Sequence, residues 1–456
     1  MPVRVSRRQA NTVLLGSLMT GLARPTRADT AENPPGTGLP SPKQVKYFTA
    51  GGAGSYTGDS WQDAMPIVWL KKSLPLAVPG MAYYIGLPRG TESVPFQETW
   101  GSLATSGEPG NPIQILAGRI GQGNKMEALA TDSVPLLKSA KPWSLDAVVS
   151  HEAPQPPLQI INSASHIVLS GFVIDGTGVS GLVRFVAKKG EEESFEDIVI
   201  SDIVAQNVGR VIETTHGTTL RHLTVENCSA TAIVRGFARF WDLSDSTFRK
   251  ITLDAGNLNG GIKNSCELIA WEKGENVVFE DIVLKNAVNT PLPGDNKTYI
   301  QGDGIVTERE TKNVTIRRCH ASHLGDGGFD LKTTNVTIED SSAEGCKFGA
   351  RIWSDADNVI RRCSFKALEP VQYFKTACVQ ASGRVEIMDT TMEVGPGTYA
   401  IELGESKNEN PPAVKMTGGS ITIADGGKLV EGRKRGVLEL NNVSVNGETK
   451  TQRIEI

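Results

Sequence analysis

Short runs of alternating apolar and polar residues recur along most of this chain. The segments 313–316, 335–338 and 358–360 each begin with Asn, continue with β-branched residues and start 22 or 23 residues apart. Alternation with a period of two predicts strands, and a strand module repeated every twenty-odd residues predicts a solenoid. Related modules occur at 166–169, 197–200, 222–225, 276–279, 384–387, 414–416 and 437–440.

The repeat favours one kind of solenoid. Leucine-rich repeats have a similar period, but their Leu-x-x-Leu-x-Leu frame is missing from this sequence. We therefore predict an all-β fold, a right-handed parallel β-helix solenoid of about ten or more turns. The glycine-rich stretch 47–61 and the amphipathic stretch 64–73 predict the N-terminal cap that a solenoid needs. The polar segment after Asn441 is expected to close the other end.

Composition bears on the possible partners of the protein and on the state of its cysteines. The 456 residues include 48 Gly and 24 Pro, with 6% aromatic residues and a net charge of −4. A charge so close to neutral argues against nucleic acid as a partner. The six cysteines lack metal-binding spacing, and Cys228, Cys319 and Cys363 occupy matching places in the repeat. This placement predicts buried free thiols, although disulfides are an alternative in an exported protein.

The first residues resemble an export signal. Three arginines precede the apolar run 13–19, and 26–28 is a small-residue cleavage site. The segment 6–9 resembles a twin-arginine signal, and an ordinary secretory signal is the alternative. Either signal predicts a periplasmic or secreted protein. The apolar run is too short to span a bilayer, so no membrane anchor is expected.

These features predict the domain organisation. We expect an export signal peptide at 1–28, a disordered Pro-rich leader at 29–43 and a single β-helix domain at 44–456. A monomer is expected.

Three insertions interrupt the repeat, at 254–266, 287–300 and 366–376. Loops that leave a solenoid on one face usually form the walls of its binding site. We expect these insertions to flank the functional site.

The stretch 302–353 carries the candidate chemistry. When Gly304, Gly328 and Gly349 are set level, the residues that follow alternate between two sides of the strands. One side is predicted to face the core: Ile305, Thr307, Phe329, Leu331, Ala350 and Ile352. The other is predicted to face outward: Val306, Glu308, Asp330, Lys332, Arg351 and Trp353.

Carboxylates concentrate in this stretch. Asp303 and Asp326 occupy corner turns that are expected to lie level, Asp330 lies on a strand, and Glu308 is a neighbour. Carboxylates held close together raise one another's proton affinity, and a hard cation such as calcium relieves the repulsion. We predict a calcium site formed by Asp303, Asp326 and Asp330. The alternative is that each Asp caps a corner turn.

Two basic residues follow the acids. A polysaccharide lyase needs a basic side chain to remove a ring proton beside a neutralised uronate carboxylate, and Lys332 and Arg351 are the candidates. They could instead pair with Asp330 and Glu308 on a solvated face. Trp353 could stack on a sugar ring or cover a loop.

The runs 302–304 and 325–331 resemble the calcium site of the family-nine polysaccharide lyases, which are parallel β-helix pectate lyases. The resemblance assigns three of four acidic calcium ligands to Asp303, Asp326 and Asp330, and Gly327 stands where the fourth would be. It places Arg351 where that family has its lysine base. An arginine with a lysine also resembles the β-helical alginate lyases.

Two further groups are candidates for substrate binding. Arg184, Arg210 and Arg235 could bind an acidic polymer by charge or pair with Glu213. Another group could form a neighbouring sugar subsite: Glu267, Trp271 and Glu272.

The expected function is calcium-assisted β-elimination of an acidic, uronate-containing polysaccharide. A glycoside hydrolase on the same fold and a non-catalytic polysaccharide-binding protein are the alternatives, because β-helices host all three.

Overall fold

The structure is a computed structural model, and it describes residues 38–88, 94–96, 100–121, 126–127, 137–139, 157–178, 181–293, 295, 299–371, 375–405, 410–432 and 435–456. The predicted signal peptide and the leader up to residue 37 lie outside these residues. Among the described residues, none of the helices has the length and apolar character needed to cross a membrane.

Nearly all described elements are strands, and they stack in register as three parallel sheets around one interior. Sheet 1 contains Gln44–Thr49, Met81–Pro88, Ile113–Ile120, Ile167–Ser170, Ile198–Ser201, Thr334–Glu339, Val359–Arg361, Arg384–Met388 and Ala413–Thr417. Sheet 2 contains Val94–Phe96, Leu137–Ser139, Val173–Gly178, Val204–Val208, His320–Ser322, Ser342–Glu344, Ser364–Ala367, Thr391–Val394 and Ser420–Ile423. Sheet 3 contains Gly101–Leu103, Leu158–Ile161, Val183–Val186, Ile212–Thr214, Gly327–Leu331, Phe348–Ile352, Ala377–Ala381, Tyr399–Leu403 and Lys428–Gly432.

Several strands are long enough to bend around corners and pair with more than one set of strands. They are Thr224–Ile233, Ala238–Ser244, Ser246–Asp254, Glu267–Lys285, Asp303–Arg317 and Val437–Val445. The remaining strands are Met65–Pro66, Met126–Glu127, Glu193–Glu196, Thr218–Arg221 and Glu448–Glu455. Each turn of the helix therefore visits sheet 1, then sheet 2, then sheet 3. We call the strand of one turn within a sheet a rung.

The interior is one continuous apolar core that runs the length of the solenoid. Equivalent residues of successive rungs stack there, as Ile305, Phe329 and Ala350 do in sheet 3. All six cysteines are buried and free, which confirms the prediction of unpaired thiols. Burial raises the pKa of the Cys319 thiol to about 12.

The Asn residues that open the modules lie at a tight corner before sheet 1. Asn276, Asn313 and Asn335 all have left-handed backbone, with φ between 56° and 59°. Asn tolerates this conformation better than most residues. Their side-chain amides form a ladder, in which Asn313 donates to Asn276 at 2.9 Å and Asn335 donates to Asn313 at 3.0 Å. The corner geometry thus explains the Asn at these three positions.

Both ends of the solenoid are covered. Three short helical segments follow one another at the N-terminal end, Ile67–Trp69 and Leu74–Leu76 as 3-10 helix and Leu70–Ser73 as α-helix. Their buried residues Ile67, Leu70 and Leu74 pack on the core, as predicted for a cap. At the other end, the polar strand Glu448–Glu455 pairs antiparallel with Val437–Val445.

All three predicted insertions leave the solenoid between sheet 2 and sheet 3. The first two are joined where Asn259 Nδ2 donates to Thr290 Oγ1 at 2.6 Å. Asp295 also accepts from the main chain of Ile262 at 2.9 Å. A cavity of about 470 Å³ lies at this corner, lined by residues of the insertions and by His323, Leu324 and Gly345 beneath them. A further 3-10 helix, Ile262–Asn264, belongs to the first insertion.

Candidate active site

The candidate residues lie on sheet 3, on three consecutive rungs. Val306 pairs with Asp330, and Asp330 pairs with Arg351. This register confirms the predicted alignment and the predicted faces. Ile305 and Phe329 lie in the core, whereas Asp330 and Arg351 alternate with core residues and therefore point away from it.

The corner acids are offset from the predicted arrangement by one residue. Asp303 is level with Gly327, because the pair Ile305 and Phe329 fixes the register. Asp326 is level with Gly302 instead, and its amide donates to the Gly302 carbonyl at 2.9 Å. The prediction that Asp303 and Asp326 lie level is therefore wrong. The offset lets the amide of Gly327 donate to Asp303 Oδ1 at 2.6 Å.

The three aspartates are nevertheless close enough to interact. Asp303 is 8% exposed, and Asp326 and Asp330 are each 6% exposed. Burial raises the pKa of Asp303 well above its ordinary value, and the carboxylates of Asp326 and Asp330 raise it further. Burial also raises the pKa of Asp330, although the cations of Arg351 and Lys332 oppose the shift. This part of the site has a high affinity for protons or other cations.

Arg351 is held among acids and aromatic rings. Its Nη1 lies 3.4 Å from Asp326 Oδ2 and 3.7 Å from Asp330 Oδ2. Its Nε donates to Gln380 Oε1 of the next rung at 2.7 Å. The guanidinium carbon lies 5.2 Å from the Phe348 ring centre. These contacts fix the position of the guanidinium.

Lys332 and Glu308 form a second ion pair beside the aspartates. Lys332 Nζ lies 2.5 Å from Glu308 Oε1. Burial alone would lower the pKa of Lys332, but the carboxylates of Asp330 and Glu308 outweigh burial, and the pKa is raised. Lys332 is therefore protonated at neutral pH in this arrangement. A base must first lose that proton.

Trp353 is the last of the residues predicted to face outward. Its Nε1 donates to Asp330 Oδ1 at 2.6 Å, so the indole fixes the carboxylate that Arg351 also faces. The ring is partly exposed at the surface.

Sequence reasoning missed Lys347 and Tyr299. Lys347 Nζ lies 3.0 Å from Asp326 Oδ1 and 5.8 Å from the centre of the Tyr299 ring, which belongs to the second insertion. The repeat could have identified Lys347. Phe348 pairs with Gly327, so the residues just before them, Lys347 and Asp326, occupy matching positions. Tyr299 could not be identified in this way, because insertions do not follow the repeat.

Trp271 and Glu272, both predicted to bind sugar, lie on different sides of their strand. Trp271 is 1% exposed and packs in the core, with its ring centre 5.3 Å from that of Phe279. The prediction that Trp271 forms a sugar subsite is wrong, because the residue occupies an inward position of its strand. Glu272 occupies an outward position and pairs with Arg239 at 2.5 Å. Arg235 lies near the same surface, at the corner that leads into sheet 3.

Calcium would require several of these oxygens around one point. In the part of the chain that the structure describes, no group of three or more Asp, Glu, His or Cys side chains is arranged to hold a metal ion. Asp326 instead faces Lys347 and Arg351, whose charges take the place of a cation. Gly327 contributes no carboxylate between Asp303 and Asp330. The residues as arranged here do not fit the ion, and calcium stays a prediction.

The model of the right-handed β-helix region matches residues 184–365 and, in an overlapping match, 269–427, which together exceed half of the chain. The chain belongs to the right-handed β-helix family. This membership confirms the predicted fold, including its handedness. No curated protein matches this β-helix chain.

Solved structures with a similar fold include several enzymes. The pectate lyase Pel9A is 15% identical, with a TM-score of 0.47, and the match covers 72% of this chain and 76% of that one. The lacto-N-biosidase from Eubacterium ramulus is 11% identical, with a TM-score of 0.49 and coverages of 88% and 68%. The polygalacturonase from Erwinia carotovora ssp. carotovora is 14% identical, with a TM-score of 0.42 and coverages of 90% and 100%. At these identities the reaction of this β-helix protein has to be argued from its own residues.

Proposed function

We propose that this β-helix protein is an exported enzyme that cleaves an acidic, uronate-containing polysaccharide by β-elimination. The observation that carries the proposal is the position of Arg351, whose guanidinium faces Asp326 and Asp330 at 3.4 and 3.7 Å on an outward face of sheet 3. Lys347 and Lys332 bring two more cations to the same face. Asp326 and Asp330 are each only 6% exposed, so this group is more buried than an ordinary surface ion pair.

The cations provide the binding step. Arginine binds a carboxylate through two parallel hydrogen bonds, and lysine adds a point charge. Lys347 and Arg351 contact different oxygens of Asp326, so a uronate carboxylate that approaches this face meets two cations. Neutralising that carboxylate makes the adjacent ring proton more acidic.

The elimination step needs an unprotonated base. Arg351 and Lys332 are the candidates, and the carboxylates that Lys332 faces favour its protonated form. The base nitrogen takes the ring proton, the released electron pair forms a carbon–carbon double bond, and the glycosidic carbon–oxygen bond breaks. The leaving oxygen takes a proton from water. Since the base must be unprotonated, activity should rise with pH.

Glycoside hydrolysis is a second candidate, and Asp303 is the observation that favours it. A hydrolase needs one carboxyl group that keeps its proton and another that is ionised. The raised pKa of Asp303 suits the acid role, and Asp326, beside Lys347 and Arg351, is the neighbouring carboxylate. Hydrolysis would lose activity as Asp303 ionises at higher pH.

One assay separates these reactions. The mature protein is incubated with polygalacturonate and with alginate, and the ultraviolet absorbance of the unsaturated product is recorded together with new reducing ends. Absorbance with reducing ends supports elimination, whereas reducing ends alone would overturn it in favour of hydrolysis. Binding without either would show that the protein does not cleave these polymers. Parallel reactions with added calcium and with chelator test the calcium prediction, which unchanged activity in chelator would overturn.

A further inference from the structure

A second charged cluster lies on the same face as the candidate active site, toward the N-terminal end. The outward positions of sheet 3 stack in the order Arg184, Glu213, Arg239, Ala270, Val306, Asp330 and Arg351. Asp330 therefore lies three rung spacings from Arg239, which is ~14 Å along the sheet. The two positions between them carry the short side chains of Ala270 and Val306.

Arginines outnumber acids in this cluster. Its members are Arg184, Arg210, Arg235, Arg239, Glu213, Glu267 and Glu272. Four guanidinium groups thus face three carboxylates. Glu213 lies 3.0 Å from Arg210 and 3.6 Å from Arg184. Glu272 and Glu267 lie 2.5 and 3.6 Å from Arg239.

Arg235 takes part in none of these ion pairs. Among the residues that the structure describes, no carboxylate lies within ion-pairing distance of its side chain. Burial lowers the pKa of Arg235, and repulsion from Arg239 and Arg184 lowers it further, against the attraction of Glu213. A half-buried cation in this position is stabilised by an anion from outside the chain.

The cluster is built on a buried support. Arg210 is 3% exposed and donates to the carbonyl of Arg235 at 3.0 Å as well as to Glu213. The backbone that carries Arg235 is therefore held by a group that cannot turn toward solvent. The side chain of Arg235 is half-buried, so it loses less freedom when it binds a carboxylate than a fully exposed side chain does.

We propose that Arg235, flanked by Arg239 and Arg184, binds an anionic group of the same polysaccharide chain whose cleavage takes place at Asp330 and Arg351. This inference rests on the proposed function and deepens it. The substrate would be a polymer with acidic groups on separate sugars, long enough to span ~14 Å along sheet 3. The group that binds is a carboxylate or a sulfate, since a guanidinium binds both.

Direct binding tests this subsite independently of cleavage. The wild type, Arg235→Gln and Arg235→Lys are compared by affinity electrophoresis in gels that contain polygalacturonate, alginate or dextran sulfate. Arg384→Gln is the matched control, because Arg384 is an exposed arginine on sheet 1. We expect Arg235→Gln to weaken binding to a uronate polymer about tenfold, the loss typical of one charge-assisted bond. Arg235→Lys should retain part of the affinity, and Arg384→Gln should retain all of it.

Ligand length provides the second readout. A uronate disaccharide is too short to reach both sites, so it binds at each one separately, and Arg235→Gln should leave its binding at Asp330 and Arg351, measured by calorimetry, unchanged. Equal polymer binding by the wild type and Arg235→Gln would overturn the subsite whether or not the protein cleaves. Complete loss of disaccharide binding would also overturn it, because it would indicate a general structural effect. Arg235-dependent binding to dextran sulfate alone would support the anion subsite and overturn the uronate substrate.

Discussion

The guanidinium carbon of Arg351 lies 4.2 Å from the centre of the Trp353 ring. The two residues follow each other on one side of the chain with Ile352 between them in the core, so the strand itself brings them together. The indole also donates to Asp330. One aromatic side chain therefore positions both the cation and the acid of the candidate active site.

Replacing Trp353 should impair function more than folding. Trp353→Ala removes the cation–π contact to Arg351 and the hydrogen bond to Asp330, and we expect kcat/KM to fall at least about tenfold. Trp353→Phe restores the ring without the bond and should recover part of the loss. Thermal unfolding followed by circular dichroism is expected to change little. Wild-type kcat/KM in Trp353→Ala would contradict this positioning role.

Trp271 should show the opposite behaviour. It is 1% exposed and packs against Phe279 in the core, so Trp271→Ala should lower the free energy of unfolding by about 3–5 kcal/mol. Denaturant unfolding measures this loss. The folded fraction should bind uronate oligomers as the wild type does. Weaker oligomer binding with unchanged stability would restore Trp271 as a sugar-binding residue.

The repeat made the architecture predictable. Alternation over 305–307, 329–331 and 350–352 assigned the inward and outward faces correctly, because strands that stack in register repeat their neighbours' environments. Trp271 shows where residue type misled the prediction. An aromatic beside two acids resembles a sugar platform, but its place in the alternation, after Ile269, puts it in the core.

The parts that could not be predicted depend on long loops and on burial in the assembled structure. The offset of the corner acids is not among them, because setting Gly304 level with Gly328 already places Asp303 level with Gly327 and Asp326 level with Gly302. Tyr299 reaches Lys347 from an insertion whose path the repeat does not determine. The proton affinities of the aspartates likewise follow from burial in the assembled solenoid.

Asp303 should make stability fall as pH rises. An unfolded Asp releases its proton near about pH 3.9, whereas burial and the neighbouring carboxylates keep Asp303 protonated to higher pH. Between the two pKa values the folded state binds the extra proton, so raising the pH weakens it. Asp303→Asn does not titrate and should be more stable than the wild type at neutral pH, with the advantage shrinking toward pH 4.

Thermal unfolding at several pH values measures this difference. Asp389→Asn, at an exposed corner, is the matched control and should lack the pH-dependent gain. A less stable Asp303→Asn at neutral pH would show that the carboxylate is already neutralised there.

Glu308 should control the pH at which the enzyme becomes active if Lys332 is the base. The Lys332 pKa is raised by Asp330 and Glu308, so kcat/KM should rise about tenfold per pH unit until Lys332 loses its proton. Glu308→Gln removes one of these carboxylates, and the rising limb should move to lower pH with higher activity near neutrality. Glu310→Gln changes the same charge at an exposed position nearby and should leave the profile unchanged. If Glu308→Gln leaves the profile in place and Lys332→Ala stays active, Lys332 is not the base, and Arg351 is the remaining candidate.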